Sequence, residues 1–109
     1  MDSGGYRIAD QFATYFLKFS VVGWIDLFTR REIKDILVES FKYCQDQKGL
    51  MIYAFVIMES HLHLIASADH KSTGLSDIIR DYKKFTSKRI IQWMQDNNVE
   101  SRREWLDMI

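Results

Sequence analysis

The sequence predicts an α+β fold of the ferredoxin-like sandwich class, with the element order β-α-β-β-α followed by a helical tail. Two kinds of pattern predict it. Apolar and polar residues alternate near the N terminus and again at 61–68, as in strands with one buried face. Two other stretches repeat apolar residues at intervals of three and four, as in amphipathic helices. We therefore expect a single domain, residues 1–109, whose antiparallel sheet carries helices on one face.

The first strand is predicted at residues 13–22. Leu17 and Phe19 alternate on one side of this strand, whereas Lys18 and Ser20 take the other side. The strand therefore has one apolar face for the core and one more polar face.

The first helix is predicted to follow Thr29 and to run to about Lys48. Thr29 is the expected N-cap, because Glu32 stands three residues further on, which is the capping-box spacing. Gly49 is placed to end the helix. The expected buried stripe consists of Ile33, Ile36, Leu37, Phe41 and Cys44.

The second strand is predicted at residues 50–58. Its apolar residues are nearly continuous, so we expect a central strand that is covered on both faces. Glu59 and Ser60 should form a tight turn into a third strand that reaches about Ala68. A polar loop with a solvent-facing His70 then leads to a long helix, residues 75–96, and to a short final helical segment at 100–109.

Composition narrows the possible functions. Hydrophobic residues make up 47% of the chain, which indicates a packed globular core. Fifteen Lys and Arg balance fifteen Asp and Glu, so a nucleic-acid partner would have to meet a local basic patch. Cys44 has no second cysteine to pair with and is expected in the core. No targeting or membrane-spanning segment is evident, and a cytoplasmic location is the expectation.

The pair His61 and His63 is the most informative motif. Side chains two residues apart on a strand point the same way, about 6.8 Å apart along it, so both imidazoles could bind one metal ion. Leu62 then points into the core. Glu59 alternates with the histidines and is a candidate third ligand. The alternative interpretation, two half-buried structural histidines, stays open at this level.

The long helix carries a basic stripe. Arg80, Lys84, Ser87 and Lys88 are predicted to lie on one helical face, with Lys83 at its edge, where they could contact a phosphate backbone. A solvated outer face is the competing interpretation. Since a helix in a β-β-α order packs across the sheet, we expect the stripe and the histidine pair to flank one groove.

The segments MESHLHLI and GLSDIIRDYKKFTSKRI together resemble the single-tyrosine HUH transposases, specifically the group related to REP-associated tyrosine transposases. In that family a His-hydrophobic-His strand precedes a basic helix of the form RDxKKFTSK. The resemblance covers about residues 13–106. One departure is Ser60, which stands where the family usually has Asn before the first histidine.

The resemblance implies a mechanism and its partners. Family members bind single-stranded or hairpin DNA, commonly as homodimers, and hold the scissile phosphate on a divalent ion, Mg or Mn, supported by the histidine pair. A tyrosine attacks the phosphate and forms a covalent phosphotyrosine. That tyrosine lies on a further helix, so we expect this domain to be incomplete at its C terminus and to lack the nucleophile. Tyr82 is the tyrosine of the basic helix, but its place on the apolar stripe favours the core.

Three functional hypotheses follow from these observations. The first is a transposase-related domain that binds single-stranded DNA and supports metal-dependent nicking and strand transfer. The second is a domesticated remnant that binds nucleic acid or protein without metal or catalysis. The third is a small metal-dependent phosphodiesterase that uses activated water.

Overall fold

The computed structural model describes residues 8–20 and 27–97. The elements occur in the predicted order, β-α-β-β-α, and confirm the α+β class. Their bounds are β1 Tyr15–Ser20, a short 3₁₀ helix Leu27–Thr29, α1 Arg31–Gln47, β2 Leu50–Ile57, β3 His61–Ala68 and α2 Leu75–Asp96. The last two residues of the predicted first strand and the predicted tail at 100–109 lie outside the described residues.

The three strands form one antiparallel sheet in the order β1-β3-β2. The prediction of a central, doubly covered second strand is therefore wrong, because within the described sheet β3 is central and β2 lies at an edge. Tyr53 and Val56 of β2 are exposed, and a register shift falls between Ile52 and Ala54. A continuous apolar run shows that a strand contacts apolar neighbours, but it does not determine the strand's position in the sheet.

The first helix has the predicted stripe and a different start. All five predicted stripe residues are buried. The N-cap is Arg30, with no side-chain capping hydrogen bond, and Thr29 instead ends the preceding 3₁₀ helix. Lys48 caps the C terminus by donating its backbone N–H to the Cys44 carbonyl at 3.0 Å. Gly49 follows with φ at 83°, a left-handed conformation that only glycine adopts at little cost, so its predicted role is confirmed.

Both helices pack on the same face of the sheet. Leu62 of β3 and Phe19 of β1 are register partners on that face, and both are fully buried. The Phe19 ring lies 5.9 Å from the ring of Tyr82 in α2, and Tyr82 stacks on Phe41 of α1 with ring centroids 4.6 Å apart. Among the described residues, the opposite face of the sheet carries no helix. We call it the open face.

The long helix α2 has the bounds that its sequence predicts. Its stripe is buried at Ile78, Tyr82 and Ile90, whereas Phe85 and Trp93 are half-buried. The Thr86 hydroxyl donates to the Tyr82 carbonyl at 2.8 Å, which satisfies a polar group inside the core. None of the helices within residues 27–97 is long and apolar enough to cross a membrane.

Candidate functional site on the open face

His61 and His63 lie together on the open face. The alternation of β3 turns Leu62 between them into the core, and both imidazoles are half-buried. Their ring centroids are 6.4 Å apart and their planes differ by 12°. The strand therefore presents two nearly parallel imidazoles side by side.

The Nδ1 atoms of the two imidazoles differ in their hydrogen bonds. The Ser60 hydroxyl lies 2.9 Å from Nδ1 of His61, which holds that ring and leaves its Nε2 for another partner. Nδ1 of His63 is buried and has no hydrogen-bond partner among the described residues. Because buried polar atoms are nearly always paired, the His63 nitrogen indicates a contact that the described protein atoms do not supply.

The two imidazoles meet part of the requirements of a site for a divalent ion. Imidazole nitrogen is a common metal ligand, and both rings face the same space. Coordination at about 2.1 Å from one nitrogen of each ring would require the rings to tilt toward each other. Within residues 8–20 and 27–97, no group of three or more His, Cys, Asp or Glu side chains is arranged to hold a metal. Glu59 is exposed in the turn and does not complete such a group.

The edge strand β1 adds a cation and an aromatic ring to the histidine pair. Lys18 is the cross-strand partner of His63, and Ser20 is the partner of His61. The Phe16 ring lies 5.4 Å from the His63 ring and is 63% exposed. A positive charge and an accessible aromatic surface therefore adjoin the two imidazoles.

The rest of the open face is largely apolar. Val56 of β2 is the other cross-strand partner of His63 and is exposed. The Tyr53 hydroxyl lies 2.9 Å from the hydroxyl of Ser67 on β3, which is buried. The exposed large apolar side chains of the two outer strands and of β3 on this face are Phe16, Met51, Tyr53, Val56 and Ile65.

The basic helix lies on the other side of the sheet, so the predicted shared groove is wrong. Leu62 points toward α2, and strand alternation therefore directs His61 and His63 away from it. The sequence order β-β-α determines that the helix crosses the sheet. It does not determine which of the two faces the helix covers.

The predicted DNA-binding residues of α2 are not all on one surface. Lys84 and Lys88 are exposed, whereas Ser87 is only 1% exposed and belongs to the core side of the helix. The Nζ atom of Lys83 lies 5.0 Å from the centre of the Phe19 ring. The outer face predicted for these residues therefore keeps Arg80, Lys84 and Lys88, which are exposed, and loses Ser87.

Arg80 lies near the start of α2 and is paired within the chain. Its guanidinium is 3.2 Å from the Asp77 carboxylate and 3.6 Å from that of Asp81. Asp81 also lies 3.5 Å from the Lys48 ammonium. These exposed ion pairs occupy Arg80 in the described structure and cost little to break, since surface pairs contribute up to about 1 kcal/mol.

Tyr82 belongs to the core, as the sequence indicates. Its hydroxyl donates to the Leu37 carbonyl at 3.3 Å, and burial raises the pKa of this phenol well above its ordinary value. A phenol that stays protonated and cannot reach solvent is a poor nucleophile. Among the other described tyrosines, Tyr15 donates to the Asp10 carbonyl and Tyr43 stacks on Phe85.

A pocket of about 560 Å³ opens at the end of the sheet where β2 turns into β3. Its lining comes from the 3₁₀ helix, the start of α1 and the turn, and it consists of Phe28, Thr29, Lys34, Ile57, Met58, Glu59, Ser60 and His61. His61 therefore borders both this pocket and the open face.

Comparison with known proteins defines the class. The family match indicates a transposase-related protein. Residues 25–107 match the family model described as IS200-like transposases, and the chain belongs to that family. No curated protein and no solved structure gave a match.

Lys18 and Phe16 are residues of the site that sequence reasoning missed. The alternation of residues 13–22 already assigns both to the non-core side of β1. Their proximity to His63 depends on the pairing of β1 with β3, in which Lys18 lies opposite His63. Both residues also precede the segment that matches the family.

Proposed function

We propose that this transposase-family chain binds single-stranded or hairpin DNA on the open face of its sheet and supports metal-dependent strand nicking and transfer there. The observation that carries the proposal is the pair of imidazoles on the open face, one of which has a buried nitrogen with no hydrogen-bond partner among the described residues. The neighbouring cation and exposed aromatic ring of β1 support it. Such a combination suits a DNA strand with unpaired bases.

The residues of β1 would position the DNA. The ammonium group of Lys18 would neutralise a backbone phosphate beside His63. Phe16 offers an accessible ring on which an unpaired base can stack, a contact that every base can make and that carries no sequence preference. Lys84 and Lys88 on α2 remain predicted contacts for DNA that extends around the domain.

His61 and His63 would hold the divalent ion, with Ser60 orienting the first ring through its hydrogen bond. Imidazole ligands favour Mn²⁺ over Mg²⁺, which prefers oxygen donors. When bound, such an ion polarises the phosphoryl oxygens and neutralises the charge that develops on them. Water or the DNA phosphate would complete the ligand set, because the described residues supply two nitrogens.

The nucleophile is proposed not to be among the described residues. Tyr82 is buried in the core, and Tyr15 and Tyr53 are hydrogen-bonded to Asp10 and Ser67. The described part of the chain would then bind the DNA and the ion without attacking the phosphate itself.

Calorimetric titration with Mn²⁺ tests the metal site. We expect the double substitution His61→Ala plus His63→Ala to weaken Mn²⁺ binding by at least about 10-fold, since it removes both proposed ligands. The control is His70→Ala, because His70 lies in the exposed loop and stacks on Phe12. Equal Mn²⁺ binding by the wild type and the double variant would overturn the metal site.

Incubation of the chain with a labelled DNA hairpin and Mn²⁺ tests the chemistry. We expect a non-covalent complex and no covalent protein–DNA adduct that survives denaturing electrophoresis. Mass spectrometry of the labelled peptide would identify the attacking tyrosine of any adduct, and an adduct at Tyr15, Tyr43, Tyr53 or Tyr82 would contradict the proposed position of the nucleophile.

Metal-free DNA binding is the second candidate function. It is favoured by the lack of a three-ligand group among the described residues. In that case His61→Ala plus His63→Ala would leave hairpin affinity unchanged both with and without Mn²⁺. A drop in affinity that appears only with Mn²⁺ present would exclude it.

A homodimer remains a proposal. Within the described strands, β1 and β2 are the sheet edges, and an open edge can pair with a second copy. Sedimentation velocity at micromolar concentration measures the assembly state directly. A monomer under these conditions would contradict the proposed dimer.

A further inference from the structure

Two elements that line the pocket at the β2–β3 turn are joined by a main-chain hydrogen bond. The backbone N–H of Phe28 donates to the carbonyl of Glu59 at 2.9 Å, which ties the 3₁₀ helix to the turn. The Phe28 side chain is fully buried. The volume of about 560 Å³ falls within the range of small-molecule sites, about 300–1,000 Å³.

The lining of the pocket combines an apolar wall with polar groups. Ile57 and the exposed Met58 provide apolar surface. Lys34 and Glu59 carry opposite charges, yet neither forms an ion pair with another described residue. A ligand with a flat apolar ring, an anionic group and a hydrogen-bond donor would use all three kinds of surface.

A nucleotide has these three features. We propose that the pocket binds one unpaired nucleotide of the DNA, immediately next to the phosphate at the histidine pair, with its base against Met58 and Ile57. Lys34 contacts its phosphate, and the Glu59 carboxylate accepts a hydrogen bond from an exocyclic amine of the base. The position next to the reacting phosphate follows from His61, which borders the pocket and the open face. This inference rests on the proposed binding of single-stranded DNA.

The chemistry of Glu59 implies a base preference. Cytosine and adenine present exocyclic amines, and a carboxylate accepts from them, whereas thymine presents carbonyl oxygens that repel it. The pocket should therefore favour an amine-bearing base over thymine. The apolar wall contributes equally to every base and provides no discrimination.

Fluorescence anisotropy with two labelled single-stranded dodecamers, one of deoxycytidine and one of thymidine, tests the inference. These probes have the same length and the same charge, so the ratio of their Kd values measures the effect of the base on affinity. We expect the wild type to bind the deoxycytidine strand at least about 3-fold more tightly. Glu59→Gln should abolish this preference. Lys34→Gln should weaken the binding of both strands by a similar factor.

Matched controls separate the pocket from general charge effects. Glu32→Gln removes an acidic charge from the first turn of α1 outside the pocket, and Lys42→Gln removes an exposed basic charge further along the same helix. Both controls should keep the wild-type preference. Equal affinities for the two strands, or a preference that Glu59→Gln leaves intact, would overturn the pocket while DNA binding stands. Failure of the wild type to bind either dodecamer or the hairpin would overturn the proposed function itself and the pocket with it.

Discussion

The two faces of the three-stranded sheet come from the same strands but have different surroundings. On the covered face, Leu62 and Leu64 pack against the helices and are almost fully buried. On the open face, His61, His63 and Ile65 alternate with them and remain accessible to different degrees. One strand, β3, therefore stabilises the fold with one set of side chains and presents the proposed site with the other.

This separation has a practical consequence. A half-exposed side chain on the open face has few buried contacts to lose, whereas a leucine of the covered face leaves a cavity when it is truncated. Substitutions on the open face can thus change binding without unfolding the domain.

Truncation of two adjacent residues on β3 measures the difference directly. Leu64 is 1% exposed and Ile65 is 36% exposed. We expect Leu64→Ala to lower the free energy of unfolding by about 2–5 kcal/mol, the usual cost of a buried leucine. Ile65→Ala should cost less than about 1.5 kcal/mol, and urea denaturation measures both. Similar losses for the two variants would show that the open face is covered in solution.

Alkaline pH should lower the free energy of unfolding through two titratable groups that are buried in the core. Burial raises the pKa of the Cys44 thiol to about 11 and raises that of Tyr82 well above its ordinary value. Both groups lose their protons more easily in the unfolded chain. Their contribution to the free energy of unfolding is therefore fully present below about pH 9 and is lost as pH rises further. We expect a loss of about 1 kcal/mol between pH 8 and 10.

Denaturation curves across this pH range test the assignment to buried groups. Cys44→Ala should make stability less dependent on pH. The control is Tyr43→Phe, which alters a tyrosine that is exposed and stacked on Phe85 and should leave the pH dependence unchanged. A pH dependence that survives in a variant with both Cys44→Ala and Tyr82→Phe would contradict the explanation.

Lysines on the two sides of the domain distinguish the proposed DNA surface from the basic helix. Lys18 lies on the open face and Lys84 on the outer surface of α2. We expect Lys18→Gln to weaken binding of a single-stranded oligonucleotide about 3-fold and to reduce the slope of log K against log salt by about 0.7, as for one lost phosphate contact. Lys84→Gln should have a smaller effect. The reverse order would place the DNA on α2.

Local patterns in the sequence predicted much of the secondary structure and part of the site. The spacing of apolar residues predicts the stripe of α1 and the bounds of α2, and the alternation around Leu62 places His61 and His63 on one side of β3. These features depend on neighbours within a few residues, which the sequence contains. The N-cap at Thr29 was mispredicted because Thr29 instead ends the short 3₁₀ helix that precedes α1.

The tertiary structure alone decided how these elements come together. Residues 50–58 were predicted to form a central strand. In the structure β3 is the central strand, because β1 and β2 both pair with it. The same pairing brings Lys18 to His63, and the packing of both helices on Leu62's side leaves the histidines on the opposite face from Lys84 and Lys88. The periodicity of a segment determines which of its side chains share a face. Which face is buried against which partner depends on contacts between residues far apart in the chain, and single-segment patterns do not contain that information.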